Sequence, residues 1–164
     1  IHSSAGKTIP PGCRTVRGGE TIEIAGLVLS FRDAIHAYDG GRKIPMVTVR
    51  LWDGRKSILH TADADTTNPA GFSFDERYPV DVLLFKAGGV SPLVDDVEEM
   101  AQTIARVRPR DLLLPTHVNE LGHRGTDACR GYAEVYGWLD RLRRDGRLGA
   151  SRYAVLFGNR FVKL

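Results

Sequence analysis

The sequence predicts an α+β fold, and three observations carry that prediction. Residues 21–62 alternate in polarity around two turn signals, as paired β-strands do. Residues 82–157 alternate short, continuous apolar runs with longer stretches of helical periodicity, which is typical of strand–helix units. No run of 18 apolar residues occurs, so no membrane span is indicated. Strand hairpins followed by strand–helix units indicate α+β architecture.

The N-terminal part divides into an irregular segment and two predicted hairpins. Residues 1–19 are rich in Gly, Pro and Ser and show no periodicity, which predicts a loop. Alternating β-type runs then occur in pairs, each pair separated by a turn dipeptide. These runs are 21–24 and 27–31 about Ala25-Gly26, and 46–51 and 57–62 about Asp53-Gly54.

The C-terminal part predicts two strand–helix units and a closing hairpin. Its short apolar runs are continuous, which is typical of strands buried on both faces. Ser91 and Pro92 indicate the start of the first helix, because Ser suits the N-cap and Pro the first helical position. The predicted order is strand 82–85, a helix ending near Val107, strand 112–114, helix 126–144, and strands 153–157 and 161–164.

Length and composition indicate one domain with a substantial core. We predict an irregular segment over residues 1–19 and a domain over residues 20–164. The net charge of +3 permits an anionic substrate but makes a nucleic-acid partner improbable, and the arginines of the last helix are predicted to form a solvated face. Cys13 and Cys129 are predicted to be free thiols in a reducing compartment, hence a cytoplasmic protein. The start has neither Met nor a signal-peptide pattern, which suggests that the beginning of the chain lies elsewhere.

Polar residues follow three of the predicted strands at the point where each strand ends. The stretch SILHTADAD turns from apolar to polar and contains Asp63, while His36 and His117 end their own apolar runs. A strand that stops in His and Asp residues can place metal ligands at the rim of a rigid sheet. A strand end followed by an Asx-rich turn is the simpler interpretation of SILHTADAD alone. His60 is predicted to pack or to support a neighbouring ligand rather than to ligate, and Asp65 either orients a ligand or is a solvated turn residue.

Two helices can cover only one face of the predicted sheet. Residues 82–85 and 112–114 nevertheless have the composition of strands that are buried on both faces. An apolar layer is therefore missing, and the chain has the make-up of half of a layered fold.

From Gly19 to Leu164 the order and context of these motifs resemble the C-terminal half of a metallo-β-lactamase-fold hydrolase. The most similar branch is the lactonase-like and phosphodiesterase-like one that includes L-ascorbate-6-phosphate lactonase. His36 matches that family's third motif, Asp63 in ILHTAD the fourth, and His117 in LLLPTH the fifth. Ala62 replaces the glycine that usually precedes the aspartate. The family's first motif, His-x-His-x-Asp-His, is absent, since the five histidines contain no His-x-His pair.

The resemblance implies a four-layer αβ/βα sandwich, of which this chain would form the C-terminal half. It implies a dinuclear site, with His36 on one metal, His117 on the other and Asp63 bridging both. The metal would be zinc in the first place, with manganese or iron as alternatives. The remaining ligands would come from a partner polypeptide that carries His-x-His-x-Asp-His.

The implied function is hydrolysis of an ester, lactone or phosphodiester, with Asp63 and His123 as catalytic residues. Substrate-binding candidates are Asn119 and His123, on the loop that follows a ligand, and Lys86, at the end of a buried strand. Each has a simpler interpretation as a surface residue. The alternative for the whole chain is a metal-free structural or regulatory half-domain. Retention of the His36, Asp63 and His117 set favours the enzyme.

Overall fold

The computed structural model describes residues 12–37, 43–65, 68–74, 79–87, 96–118 and 131–155. These residues form one seven-stranded mixed sheet in which the strands lie in their order along the chain. Two α-helices and one short 3-10 helix pack on it. The predicted α+β class is confirmed. In the described segments, no helix is both long and apolar enough to cross a membrane.

The first four strands form an antiparallel meander. The Ala25-Gly26 turn is confirmed: both residues have positive φ, 51° and 79°, as a two-residue hairpin turn of this kind requires. The second turn is longer than predicted. Trp52 pairs with Ser57, which leaves four residues in the loop, where the Asp53 carboxylate accepts hydrogen bonds from the backbone amides of Arg55 and Lys56. The strands are β1 Thr21–Ile24, β2 Leu27–Ala37, β3 Lys43–Trp52 and β4 Ser57–His60.

The last three strands run parallel to β4 and alternate with the helices, as predicted. The parallel strands are β5 Val82–Lys86, β6 Leu112–Thr116 and β7 Arg152–Tyr153. The helices are α1 Asp96–Val107 and α2 Tyr132–Arg144, so the predicted helix starts, at 91–95 and 126–130, lie outside the described residues. Strand β7 is only two residues long. Residues 156–164 also lie outside the described residues, so the predicted closing hairpin cannot be compared with the structure.

Both helices pack on one face of the sheet, called the helix face here. Its strand residues Leu59, Leu83, Phe85 and Leu113 have no solvent exposure, and they pack with the apolar stripes of both helices. The helical members of this core are Val97, Met100, Ala101 and Ile104 of α1, with Val135, Leu139 and Leu142 of α2.

The other face of the sheet is apolar as well, and it is defined here as the opposite face. Strand residues in register share a face, so Leu51, Ile58 and Leu84 lie together there, and each is half-buried. Val82, on the same face, is fully buried. The strand at 82–85 is therefore not uniformly buried on both sides, and this face is half-buried rather than bare.

A short connection between β4 and β5 packs against β2 and β3. The 3-10 helix Pro69–Phe72 begins with Asn68, whose side chain accepts a hydrogen bond from Ala70. Gly71 lies so close to β2 that an added Cβ would be 2.8 Å from Cβ of Ala34. Only glycine fits this approach. The connection thereby places a small apolar cluster directly under the loop that follows β4.

Candidate metal centre

Four strands deliver polar residues to one edge of the sheet. Strands β4, β5 and β6 are parallel, and β2 has the same direction because two antiparallel pairings separate it from β4. The C-terminal ends of all four strands therefore meet at one edge, called the carboxyl edge here. Asp63 follows β4 by three residues, and His117 follows β6 directly.

His36 is the residue that the structure places differently from the prediction. It lies inside β2, paired with Ile44, because β2 extends six residues beyond its predicted run and β3 begins three residues before its own. Its Nδ1 is 2.9 Å from the backbone oxygen of Asp63. A carbonyl only accepts, so Nδ1 carries a proton and donates it to this oxygen. This is the arrangement that orients metal-ligating histidines.

Asp63 is held in a tight turn. Its neighbour Ala62 has φ +48°, a left-handed conformation that costs a residue with a Cβ about 1–2 kcal/mol. That conformation explains why a glycine would suit this position. The Ala62 amide donates to Nδ1 of His60 at 3.0 Å, and the Thr61 amide continues the ladder to the oxygen of Leu84 at 2.9 Å.

The Asp63 carboxylate faces His117. Oδ1 of Asp63 is 3.9 Å from Nε2 of His117. This distance is longer than a hydrogen bond, but it brings two atoms that can ligate a metal close to each other. The side chain of His117 is 14% exposed and that of Asp63 is 44% exposed. His117 also has positive φ, 63°, which marks a second constrained backbone position at this edge.

These donors fit part of a metal site. Imidazole nitrogen and carboxylate oxygen are the ligands that zinc, iron and manganese accept in hydrolytic centres. Asp63 contacts both histidines, one through its carboxylate and one through its backbone oxygen. Among the described residues, however, no three His, Cys, Asp or Glu side chains cluster closely enough to hold an ion. Further donors would have to come from elsewhere.

His60 is the last residue of β4, and its ring contacts the turn that follows this strand. It pairs with Val49 and Leu84 and is half-buried. Burial lowers the pKa of His60, and the nearby Asp63 carboxylate partly opposes that shift. The ring therefore favours its neutral form, with the proton on Nε2 and the Nδ1 lone pair accepting from Ala62.

Lys86 stands at the end of β5, in register with Thr116, the residue that precedes His117. Its ammonium is 3.5 Å from a carboxylate oxygen of Glu99 in α1, and both side chains are largely buried, 12% and 8% exposed. Binding of an anionic substrate by Lys86 would thus compete with this ion pair. Its role as a substrate contact stays a prediction.

Of the other predicted site residues, some lie outside the described part of the chain and some lie within it. Asn119 and His123 lie outside the described residues. The backbone of Asp65 is bound to β2, since its amide donates to the oxygen of Ile35 at 2.7 Å. Sequence reasoning missed the contribution of His60 to the turn and the pairing of Glu99 with Lys86. Ala62 stands where the resembling family usually has glycine, and this replacement was the sequence signal that could have indicated a strained turn.

Comparison with known proteins identifies the fold. No family model and no curated protein matches the sequence. The metallo-β-lactamase fold protein YhfI from Bacillus subtilis is similar in structure, with a TM-score of 0.51 and 14% identity over 87% of this chain and 52% of that chain. Unliganded yeast PDE1 has a TM-score of 0.57 and 12% identity over 87% and 47% of the two chains.

A possible metal-dependent hydrolase from Veillonella parvula is also similar, with a TM-score of 0.51 and 8% identity over 83% of this chain and 54% of that chain. The protein therefore has the metallo-β-lactamase fold, as the sequence motifs indicated. The chain spans about half the length of these three solved structures. At such low identities the likeness concerns the fold.

Proposed function

We propose that the chain is part of a metal-dependent hydrolase that acts on an ester, lactone or phosphodiester. One observation carries the proposal: Asp63 faces His117 at 3.9 Å while its backbone oxygen orients His36, all at the carboxyl edge of the sheet. A purely structural subunit has no evident use for this arrangement. The solved structures of the same fold, one of them a possible metal-dependent hydrolase, support the reaction class.

His36, Asp63 and His117 would hold the metal, with Asp63 as the bridge between two ions. Bound divalent ions would supply Lewis-acid chemistry and make a nucleophile available at neutral pH. Zinc suits these donors first, with manganese or iron as alternatives. His123 would donate a proton or contact the substrate, together with Asn119. Lys86 would bind an anionic group after leaving Glu99.

A partner polypeptide carrying His-x-His-x-Asp-His would complete both the metal site and the sandwich. Three chain-borne ligands are too few for two hydrolytic metals, each of which needs about three protein donors and an open position. The half-buried opposite face offers Leu51, Ile58 and Leu84 for a second sheet layer. An interface of this obligate type would bury more than about 2,000 Å². We place the assembly in the cytoplasm, in keeping with the exposed free thiol of Cys13.

Metal analysis tests the proposal directly. The chain is purified alone and with any polypeptide that accompanies it, and zinc, manganese and iron are measured together with hydrolysis of a lactone and of a bis-aryl phosphodiester. We expect the chain alone to be metal-poor and inactive, and the complex to contain two ions and to turn over one substrate. A stable monomer that binds two ions and hydrolyses either substrate would refute the partner. A metal-free, inactive complex would refute the enzyme.

The loop that follows His117 provides a second test of the site. His123→Ala is expected to lower turnover of the assembled enzyme while its metal content stays unchanged, because a substrate contact is needed for the reaction and not for the ions. Unchanged turnover would show that His123 is a surface residue. The companion variant Asn119→Ala should raise KM, because Asn119 is also proposed to contact the substrate.

The second candidate function is a metal-free structural or regulatory half-domain. The observation that favours it is the lack of a three-donor cluster among the described residues. In that case the accompanying polypeptide would contain its own complete metal site. Asp63→Ala would then leave the metal content and the activity of the complex unchanged, whereas the enzyme proposal requires both to fall.

A further inference from the structure

The turn that carries Asp63 is held by hydrogen bonds to several parts of the chain. Its later residues are bound to other parts of the chain: the Asp63 oxygen to His36, the Ala64 amide to the oxygen of Thr61 and the Asp65 amide to the oxygen of Ile35. The amide of Ala62, where the chain reverses, is bound instead by His60, two residues earlier. The left-handed φ of +48° occurs at this same residue.

We propose that His60 is a positioning residue, whose Nδ1 accepts the Ala62 amide and so holds the left-handed turn that directs the Asp63 carboxylate toward His117. An alanine returns readily to negative φ when nothing holds its amide. That rotation would reorient the following peptide and move the carboxylate away from Nε2 of His117. His60 therefore acts through Asp63 and not as a ligand.

The position of His60 suits this task. It is the last residue of β4, where pairing with Val49 on one side and Leu84 on the other fixes its backbone. The side chain is half-buried, so water competes only in part for Nδ1. A rigid strand end thereby transmits its orientation to the turn through a single hydrogen bond. The inference rests on the proposed function only in taking Asp63 as a metal ligand.

Three variants test the proposal on the full chain, purified with any polypeptide that accompanies it. His60→Leu removes the acceptor and keeps an apolar side chain. His60→Asn keeps an acceptor oxygen close to the position of Nδ1. The double variant His60→Leu with Ala62→Gly removes the acceptor but also the steric cost of positive φ, because glycine adopts left-handed backbone readily.

Two readouts need no activity. The first, on metal-free protein by NMR, is hydrogen exchange of the Ala62 amide together with the proximity of Asp63 Hβ to the His117 ring. The second is zinc affinity from a chelator competition. We expect His60→Leu to lose amide protection and ring proximity and to weaken zinc binding about 10–100-fold, as loss of a residue that orients ligands does. The zinc affinities of His60→Asn and of the double variant should stay within about threefold of the parent. The double variant should keep the ring proximity but lose protection of its residue-62 amide, because it has no acceptor at residue 60.

Each outcome decides a separate question. If His60→Leu is folded with the Ala62 amide still protected, or if His60→Asn is as impaired as His60→Leu, His60 does not position the turn. Should His60→Leu fail to fold, the exchange and zinc affinity of the Asn and double variants still decide. If the parent protein binds neither zinc nor manganese nor iron, the proposed function fails, while the NMR comparison of the variants still tests the role of His60.

Discussion

The two edges of the parallel strands use similar residues in opposite ways. At the edge where β4, β5 and β6 begin, called the amino edge here, Asp81 is buried and its carboxylate accepts from the Ser57 amide at 2.8 Å and from the Arg110 guanidinium at 2.6 Å. Asp111 accepts from Lys56 and Arg152, which are 2.9 and 2.8 Å away. Each of these carboxylates is committed to holding neighbouring strands together.

At the carboxyl edge the Asp63 carboxylate is 44% exposed and approaches His117 only to 3.9 Å. Positive φ at residues with a Cβ occurs at both edges: at Ala62 and His117 here, and at Ala25 and Arg108, which precede β2 and β6. The edges differ instead in their carboxylates, which are paired with cations at the amino edge. The same residue types hold strands together at the amino edge and, under the proposed function, are available to a ligand at the carboxyl edge.

The largest expected effect concerns Asp63. Asp63→Ala should reduce hydrolysis by the assembled enzyme about a thousandfold or more, because a bridging carboxylate contributes several kcal/mol to catalysis. Unfolding temperature should change little, since the side chain is half exposed. His60→Ala should lower activity less, about 10–100-fold. If Asp63→Ala and His60→Ala lost activity equally while both stayed folded and bound metal, Asp63 would not be the bridge.

The buried Lys86–Glu99 pair is the exception at the carboxyl edge, and it sharpens the comparison. Glu99→Leu should destabilise the fold by about 3 kcal/mol or more, because it leaves a buried ammonium without this carboxylate. Adding Lys86→Met should recover most of that loss, since replacing a whole buried pair by apolar residues is often neutral. Urea unfolding of the single and double variants measures both. Additive losses would show that the two residues are not coupled.

The amino edge should respond in stability and not in activity. Asp81→Ala should lower the free energy of unfolding by about 2–3 kcal/mol, because a buried backbone amide loses a charged acceptor. Most of this comes from the Ser57 amide, as Arg110 is largely exposed. The control Asp145→Ala, on the surface of α2, should change stability by less than about 0.5 kcal/mol. Reduced turnover per folded molecule for Asp81→Ala would contradict the prediction that the amino edge affects stability and not activity.

The smallest expected effect is the pH dependence due to His60. Burial lowers the pKa of His60 in the folded chain below the ordinary value of 6.5, so the unfolded chain binds a proton more readily. The contribution of His60 to stability is therefore complete above pH 6.5 and declines as the pH falls toward the folded pKa. Thermal unfolding between pH 8 and 5.5 should show a shallower acid decline for His60→Asn. A parallel decline would assign the acid sensitivity to other groups.

Local pattern alone predicted most of the elements and left their extent open. The alternation around Ala25-Gly26 and the apolar stripes of α1 and α2 are properties of neighbouring residues, and these elements formed as predicted. The ends of β2 and the four-residue turn after Trp52 did not follow from the pattern. The length of a strand depends on the strand it pairs with, and the length of a turn depends on side-chain contacts such as those of Asp53.

By itself the sequence determined which residue types stand at the strand ends, and so the candidates His36, Asp63 and His117. Only the tertiary structure decided how they meet. The contact between His36 and Asp63 crosses 27 residues, and it exists because β2 and β4 end at one edge. Which atoms face each other depends on a left-handed turn at Ala62 and a half-buried acceptor at His60. Periodicity describes which face a residue occupies, whereas the direction of a carboxylate is determined by hydrogen bonds that form only when distant strands are side by side.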